Sequence, residues 1–239
     1  MIRSRQVAYT AGEAKQKRML AARESLESLL RARKLDVTLT TTPGLEVLPA
    51  ERLAGTGDRG LDAALGGGLR RGQLSEITGA PSTGRSTVAV RALAAAAGRG
   101  EAIALIDACD TFDPVSAAAH GIELSSLLWV RECGDAPRAL KAFSLVLQAG
   151  GFGLVVLDLA DVPPAALRRF PHTTWMRLAR IIEGSETAAV IVGSERIARS
   201  AGGVTIALDA SPAQWQGTAH RARLFTGVHP DPRVVRARS

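Results

Sequence analysis

Apolar residues change their spacing repeatedly along this chain, and each change predicts an element. Over residues 13–34, Met19, Ala22, Leu26, Leu29 and Leu30 recur every three or four positions among Lys, Arg and Glu, the period of an amphipathic helix. Such a stripe must bury against its own domain or a neighbouring subunit. DVTLTTT at 36–42 alternates and is β-branched, which predicts a short strand ended by Pro43 and Gly44. After a connector, LDAALGGGL at 61–69 reads as a short helix stopped by glycines. From Gly72 onward strands and helices alternate. QLSEIT is a strand, followed by helix 84–97, strand 101–107, helix 113–120 and a strand near 127–130. Helix 136–149, strand 152–158, helix 172–184 and strand 187–193 continue the series, and 203–209 and 214–226 read as later strands. Apolar strands separated by helices predict an α/β fold with a mainly parallel sheet flanked by helices. The near-continuous apolar runs VVLDL and AVIV agree, because such strands are covered on both faces. The expected organisation is an N-terminal helix and strand over 1–43, a core over 44–220 and a basic tail over 221–239.

Composition narrows the classes. Hydrophobic residues make up 46% and aromatics only 4%, so the core has to be built from aliphatic side chains. The net charge of +7 is uneven: residues 1–35 hold nine Lys/Arg against three Asp/Glu, and 221–239 hold five Arg against one Asp, leaving the body at −3. Basic ends fit either nucleic acid, through counterion release, or an acidic partner. Arg168, Arg169, Arg196, Arg199, Arg233, Arg236 and Arg238 are the candidate contacts to single-stranded DNA; a solvated face is the alternative for Arg168 and Arg169. Cys109 and Cys133 have no paired spacing, so neither a disulfide framework nor a metal cluster is expected. No apolar run approaches the roughly 18 residues of a membrane span, and the first residues lack the apolar core of a signal peptide, so a cytoplasmic, nucleoid-associated protein is expected. Trp129, Trp175 and Trp215 read as packing residues, and His120 and His172 as structural or exposed.

The chemistry concentrates in EITGAPSTGRSTVAV at 76–90. Gly79, four residues, Gly84, then a cation and two hydroxyls outline a phosphate loop between a strand and a helix. There backbone N–H groups and the helix dipole converge on one anion. A plain strand-to-helix turn is the alternative. The cation is Arg85, a wide planar fork where a slim lysine would slot between phosphates. Gly79, Gly84, Arg85, Ser86 and Thr87 are therefore candidate phosphate contacts. Asp158, at the end of VVLDL, stands where a magnesium-associated carboxylate belongs, and together with the loop that origin is favoured over the alternative of a strand-end cap on the next segment.

These residues carry a resemblance. GLDAALGGGLRRGQLSEITGAPSTGRSTVAVRAL resembles the nucleotide-binding core of RecA recombinases, IDACDTFDPVSAAAHGI the segment that follows it, and VVLDLAD the family's Walker B strand. The order runs in parallel from about residue 55 to residue 208, and the helix and strand before it resemble the RecA subunit-pairing segment. The resemblance implies a RecA-like P-loop core, and the departures from it are informative. RecA proteins have lysine at the place of Arg85 and a catalytic glutamate at the place of Cys109, and a neutral thiol is a poor base. Asp110 is the neighbouring acid that could substitute. Ser194 stands where the family carries a γ-phosphate-sensing glutamine, and the segments 160–175 and 195–203 are short for DNA-binding loops. A RecA-like core with these changes resembles the ImuA family of mutasome accessory proteins. That resemblance implies a non-hydrolysing protein with no required cofactor and at most weak ATP and magnesium binding. It also implies action in SOS-induced translesion synthesis through RecA or an ImuB-like polymerase relative. The stripe at Met19, Ala22, Leu26, Leu29 and Leu30 would be the partner surface, or the contact of a homo-oligomer. A DNA-dependent ATPase and a basic DNA-binding repair factor are the alternatives.

Overall fold

The structure is a computed structural model. It describes residues 48–198, 202–210, 213–217, 223–228 and 230–235, all within the compact unit Val47–Ser239. The helix and strand expected at 13–34 and 36–42, with Met19, Ala22, Leu26, Leu29 and Leu30, lie outside the described residues, as do Arg199, Arg236 and Arg238.

In chain order the first elements are β1 (Leu53–Ala54), α1 (Arg59–Leu65), β2 (Leu69–Arg70), β3 (Leu74–Gly79), α2 (Arg85–Gly98) and β4 (Ile103–Asp107). Next come α3 (Pro114–Ala119), β5 (Leu127–Arg131), α4 (Ala136–Ala149), β6 (Leu154–Asp158), α5 (Pro164–Leu167) and α6 (His172–Ile182). The chain continues through β7 (Ala188–Gly193), β8 (Gly202–Leu208), β9 (Ala213–Gln216), β10 (Leu224–Val228) and β11 (Pro232–Val235). Seven strands form one sheet in the order β11-β8-β3-β7-β6-β4-β5. Every pairing in it is parallel except β11 with β8.

Local sequence accounts for the element ends. The Asp58 side chain accepts from the N–H of Gly60 (2.9 Å) and Leu61 (3.0 Å), and α1 closes at Gly66 with φ 77°. Asp113 and Asp135 cap α3 and α4, each followed by proline in the first turn. Asp58→Ala is expected to cost about 1 kcal/mol in urea unfolding, because it orphans two N–H groups at the start of α1.

The sheet divides the core into two layers. Along β6, Leu154 and Val156 face α1 and α2 residues such as Leu61, Ala92 and Leu93, while Val155 and Leu157 face Phe143 of α4 and Trp175 of α6. This alternation of buried faces is why VVLDL reads as continuously apolar. Alanines in α2 let that helix approach the sheet closely, so a core with few aromatics still packs.

Three sequence expectations change. The stretch 214–226 is two strands, β9 and β10, paired antiparallel. The tail over 221–239 contains β10 and β11, and β11 completes the main sheet, with Val234 opposite Ile206. The segment after Asp158 contains a short helix, α5, begun by Pro164. Among the described residues no helix is long and apolar enough to cross a membrane.

Candidate functional site: a phosphate loop with an inward arginine

Parallel register places the chemistry on one edge of the sheet. Asp107 ends β4 opposite Asp158 at the end of β6, Asp158 lies opposite Val192, and Thr78 lies opposite Gly193. The loop from Gly79 to Gly84 rises from β3 at this edge, where open α/β sheets bind ligands.

The loop needs its glycines. A Cβ on Gly79 would sit 2.5 Å from Thr83 Oγ1 and 2.8 Å from the Leu208 carbonyl. Gly84 has φ 90°, and a Cβ there would meet Pro230 at 2.7 Å. Between them Thr83 is buried and its hydroxyl donates to the Ala80 carbonyl (2.9 Å), while Ser82 takes a left-handed conformation with φ 64°. No side chain caps the first turn of α2, so its N–H groups remain for an anion or solvent. Ser86 is exposed and Thr87 half-buried. With Asp158, Thr111 and Phe112 they line a 230 Å³ cleft.

Arg85 turns inward. It is 6% exposed, and its Nη1 donates to the carbonyls of Gly79 (2.9 Å) and Ala160 (3.5 Å). The guanidinium thus ties the loop to the segment after β6, in the space between phosphate loop and Asp158. Asp158 accepts from the Ala160 N–H (2.9 Å). Burial pushes its carboxyl up to about 6; the Ala160 bond pulls it down, Asp107 and Asp161 push it up, and Arg85 pulls it down. Asp158 thus takes up a proton more readily than an exposed carboxyl does. Among the described residues, no group of three acidic, His or Cys side chains is placed to hold a metal ion. The wide guanidinium of Arg85 thus stands beside Asp158 where a lysine loop carries a slim ammonium.

The position expected for a catalytic base is also changed. Cys109 is half-buried, and burial pushes its thiol up, reinforced by Asp161, Asp158 and Asp107. It stays a neutral thiol at neutral pH. Asp107 is committed to its own loop, accepting from the N–H groups of Thr111 (3.1 Å) and Phe112 (2.8 Å). Asp110, the substitute base considered above, is drawn into a two-pronged pair with Arg131 (2.7 and 2.8 Å), which holds its carboxyl below the usual range. Arg131 in turn stacks over Trp129 at 4.6 Å, and Trp129 meets Phe112 edge-on at 5.1 Å. Asp110 is thus spent on ordering this loop.

Among the described basic candidates, Arg168 and Arg196 share one pocket and Arg233 lies apart from it. Arg168 and Arg196 border a 560 Å³ pocket with Phe170, Trp175 and Ile197. Arg168 is neutralised there by Glu195 through two 3.0 Å bonds. Arg169 is exposed. Arg233 lies on edge strand β11, separated from β7 by β8 and β3, and pairs with Asp209 (2.9 Å). Sequence reasoning missed Glu76, buried in β3, although a lone acid in the apolar run LSEIT is a visible signal. It also missed Pro230 over the loop and the carbonyl of Ala160, for which no local signal exists.

Comparison with known proteins gives a consistent picture. Residues 46–168 match the family model described as the RecA N-terminal domain. The chain is 39% identical over 127 residues to the RecA protein of Kineococcus radiotolerans, covering 52% of this chain and 36% of that one. It is 31% identical over 160 residues to RecA of Deinococcus radiodurans, covering 61% and 44%. Over 191 residues it is 29% identical to RecA of Thermus thermophilus, covering 73% and 56%. It therefore spans well under two thirds of these relatives. The crystal structure of the RadB recombinase superposes with a TM-score of 0.52 at 20% identity, over 67% of this chain and 84% of that one, and shares the fold.

Proposed function

This chain belongs to the RecA family, and from that premise we propose that it is a non-hydrolysing RecA-like accessory protein of the ImuA type. In this reading it serves damage-induced translesion synthesis by contacting RecA or an ImuB-like polymerase relative. The observation that carries the proposal is Arg85. Its guanidinium bonds the loop's own Gly79 carbonyl and reaches Ala160, so the cradle is braced by an internal cation. The protonated thiol at Cys109 and the engaged carboxylate at Asp110 take the family's base position and its neighbour out of use, in keeping with the same reading. What remains is a rigid platform whose loop retains an anion at most weakly.

The partner stripe would be Met19, Ala22, Leu26, Leu29 and Leu30. The test is size-exclusion chromatography of the purified full chain with purified RecA and, separately, with an ImuB-type protein. A complex with one of them that is lost on deleting residues 1–42 is the expected result. Absence of a complex with both would overturn the proposal.

One observation favours a second reading, a basic DNA-binding repair factor: Arg168 and Arg196 share a pocket with the half-buried ring of Phe170. In that reading Glu195 masks Arg168. Glu195→Gln is then expected to tighten binding of a single-stranded oligonucleotide and to steepen its salt dependence by about one phosphate contact. Fluorescence anisotropy across a salt series reads both, and an unchanged affinity and slope would remove this reading.

A further inference from the structure

Glu76 is an acid inside the sheet. It is 3% exposed, in the middle of β3, three residues ahead of Gly79. Its Oε1 accepts from the backbone N–H of Ile197 (2.7 Å) and of Ala198 (2.6 Å), and its Oε2 accepts from the Thr205 hydroxyl at 3.4 Å. Among the described residues no cation pairs with it. Burying an acid without a counter-ion is costly unless hydrogen bonds replace the lost water. The β3 neighbours Leu74 and Ile77 show what packing alone selects at such depth. The bonds of Glu76 reach the segment that follows β7 and, through the other oxygen, β8. That segment carries Glu195, which holds Arg168, and Ile197, which lines the 560 Å³ pocket.

We propose that Glu76 is a positioning residue that holds Glu195–Ala198 as the wall of this pocket, so that the pocket's shape is set from the strand that ends in the phosphate loop. Two consecutive N–H groups bound to one carboxylate oxygen fix the direction of the chain as it leaves β7. That direction decides whether Glu195 reaches Arg168. Releasing the latch would open the wall and unmask Arg168 without disturbing the β3–β7 ladder, which pairs through backbone groups alone.

Hydrogen exchange on the full chain tests this, together with limited trypsin cleavage after the exposed Arg196. Glu76→Ala is expected to speed exchange at Ile197 and Ala198, and cleavage at Arg196, by roughly tenfold or more, as two bonds to a charged acceptor are lost. Exchange at Val190–Val192 should stay as in the unmodified chain. Glu76→Gln keeps an oxygen acceptor but loses the charge, and charge-assisted bonds are about twice as strong as neutral ones, so a smaller acceleration of roughly threefold is expected. Rates at 197–198 within about twofold of the unmodified chain in both variants, or equal acceleration through Val190–Val192, would overturn the proposal. If the alanine variant does not fold, the glutamine variant decides by the same criterion.

Discussion

A chain carrying both Arg85→Lys and Cys109→Glu is expected to release phosphate from ATP about 10²-fold or more faster than the unmodified chain. Each change removes one obstacle. The guanidinium of Arg85 is too wide for the space between phosphates and is anchored on Gly79 and Ala160. Lysine gives up that second anchor and leaves the cradle open to an anion. Burial holds the Cys109 thiol protonated, and Asp161, Asp158 and Asp107 reinforce it. A glutamate there would restore a carboxylate at the edge of the sheet where Asp110 is otherwise paired away. A positioned general base typically contributes about 10²–10⁴ in rate, and the lower end is expected because Ser194 remains at the end of β7. Neither single variant should rise measurably, since a lysine loop without a base and a base beside the inward arginine each lack one part. A coupled-enzyme assay on all four proteins separates these outcomes. No gain in the double variant would mean that the deficit lies elsewhere, with the Ser194 position the first suspect.

The second large effect concerns stability. Burial pushes the Asp158 carboxyl up to about 6 from an unperturbed 3.8, so the folded chain holds this proton more tightly than the unfolded one. A raised pKa contributes stability that is fully present below about pH 4 and is lost as pH rises through about 6. At pH 7 the ionised carboxylate then costs up to about 3 kcal/mol, from roughly two pKa units at 1.36 kcal/mol each. Asp158→Asn is expected to stabilise the fold at pH 7 by as much as that, to be nearly neutral at pH 4, and to flatten the slope between. Urea midpoints at both pH values check it. Destabilisation at pH 7 would show that attraction to Arg85 outweighs burial.

Much of this architecture is legible in the sequence because it rests on local signals. The Asp caps at 58, 113 and 135, the two-faced apolar strand VVLDL and the glycine pair around residues 80–83 each announce their element. What stayed hidden depends on partners far along the chain. PRVV is a strand only because β8 offers it a ladder, and within an Arg-rich run its two valines do not stand out. Arg168 looks like a free cation until the fold brings in Glu195, 27 residues later. The identity of Arg85 is visible at once, but its inward direction is set by the carbonyls it meets, one of them 75 residues away.

In the proposed function, Arg85 and Cys109 have removed the chemistry while the platform survives. The most direct measurement is phosphate release from ATP with magnesium and saturating single-stranded DNA, recorded side by side for the unmodified chain and Asp158→Asn. The account predicts superimposable traces, both at the level of buffer. Steady release by the unmodified chain that Asp158→Asn abolishes would contradict it.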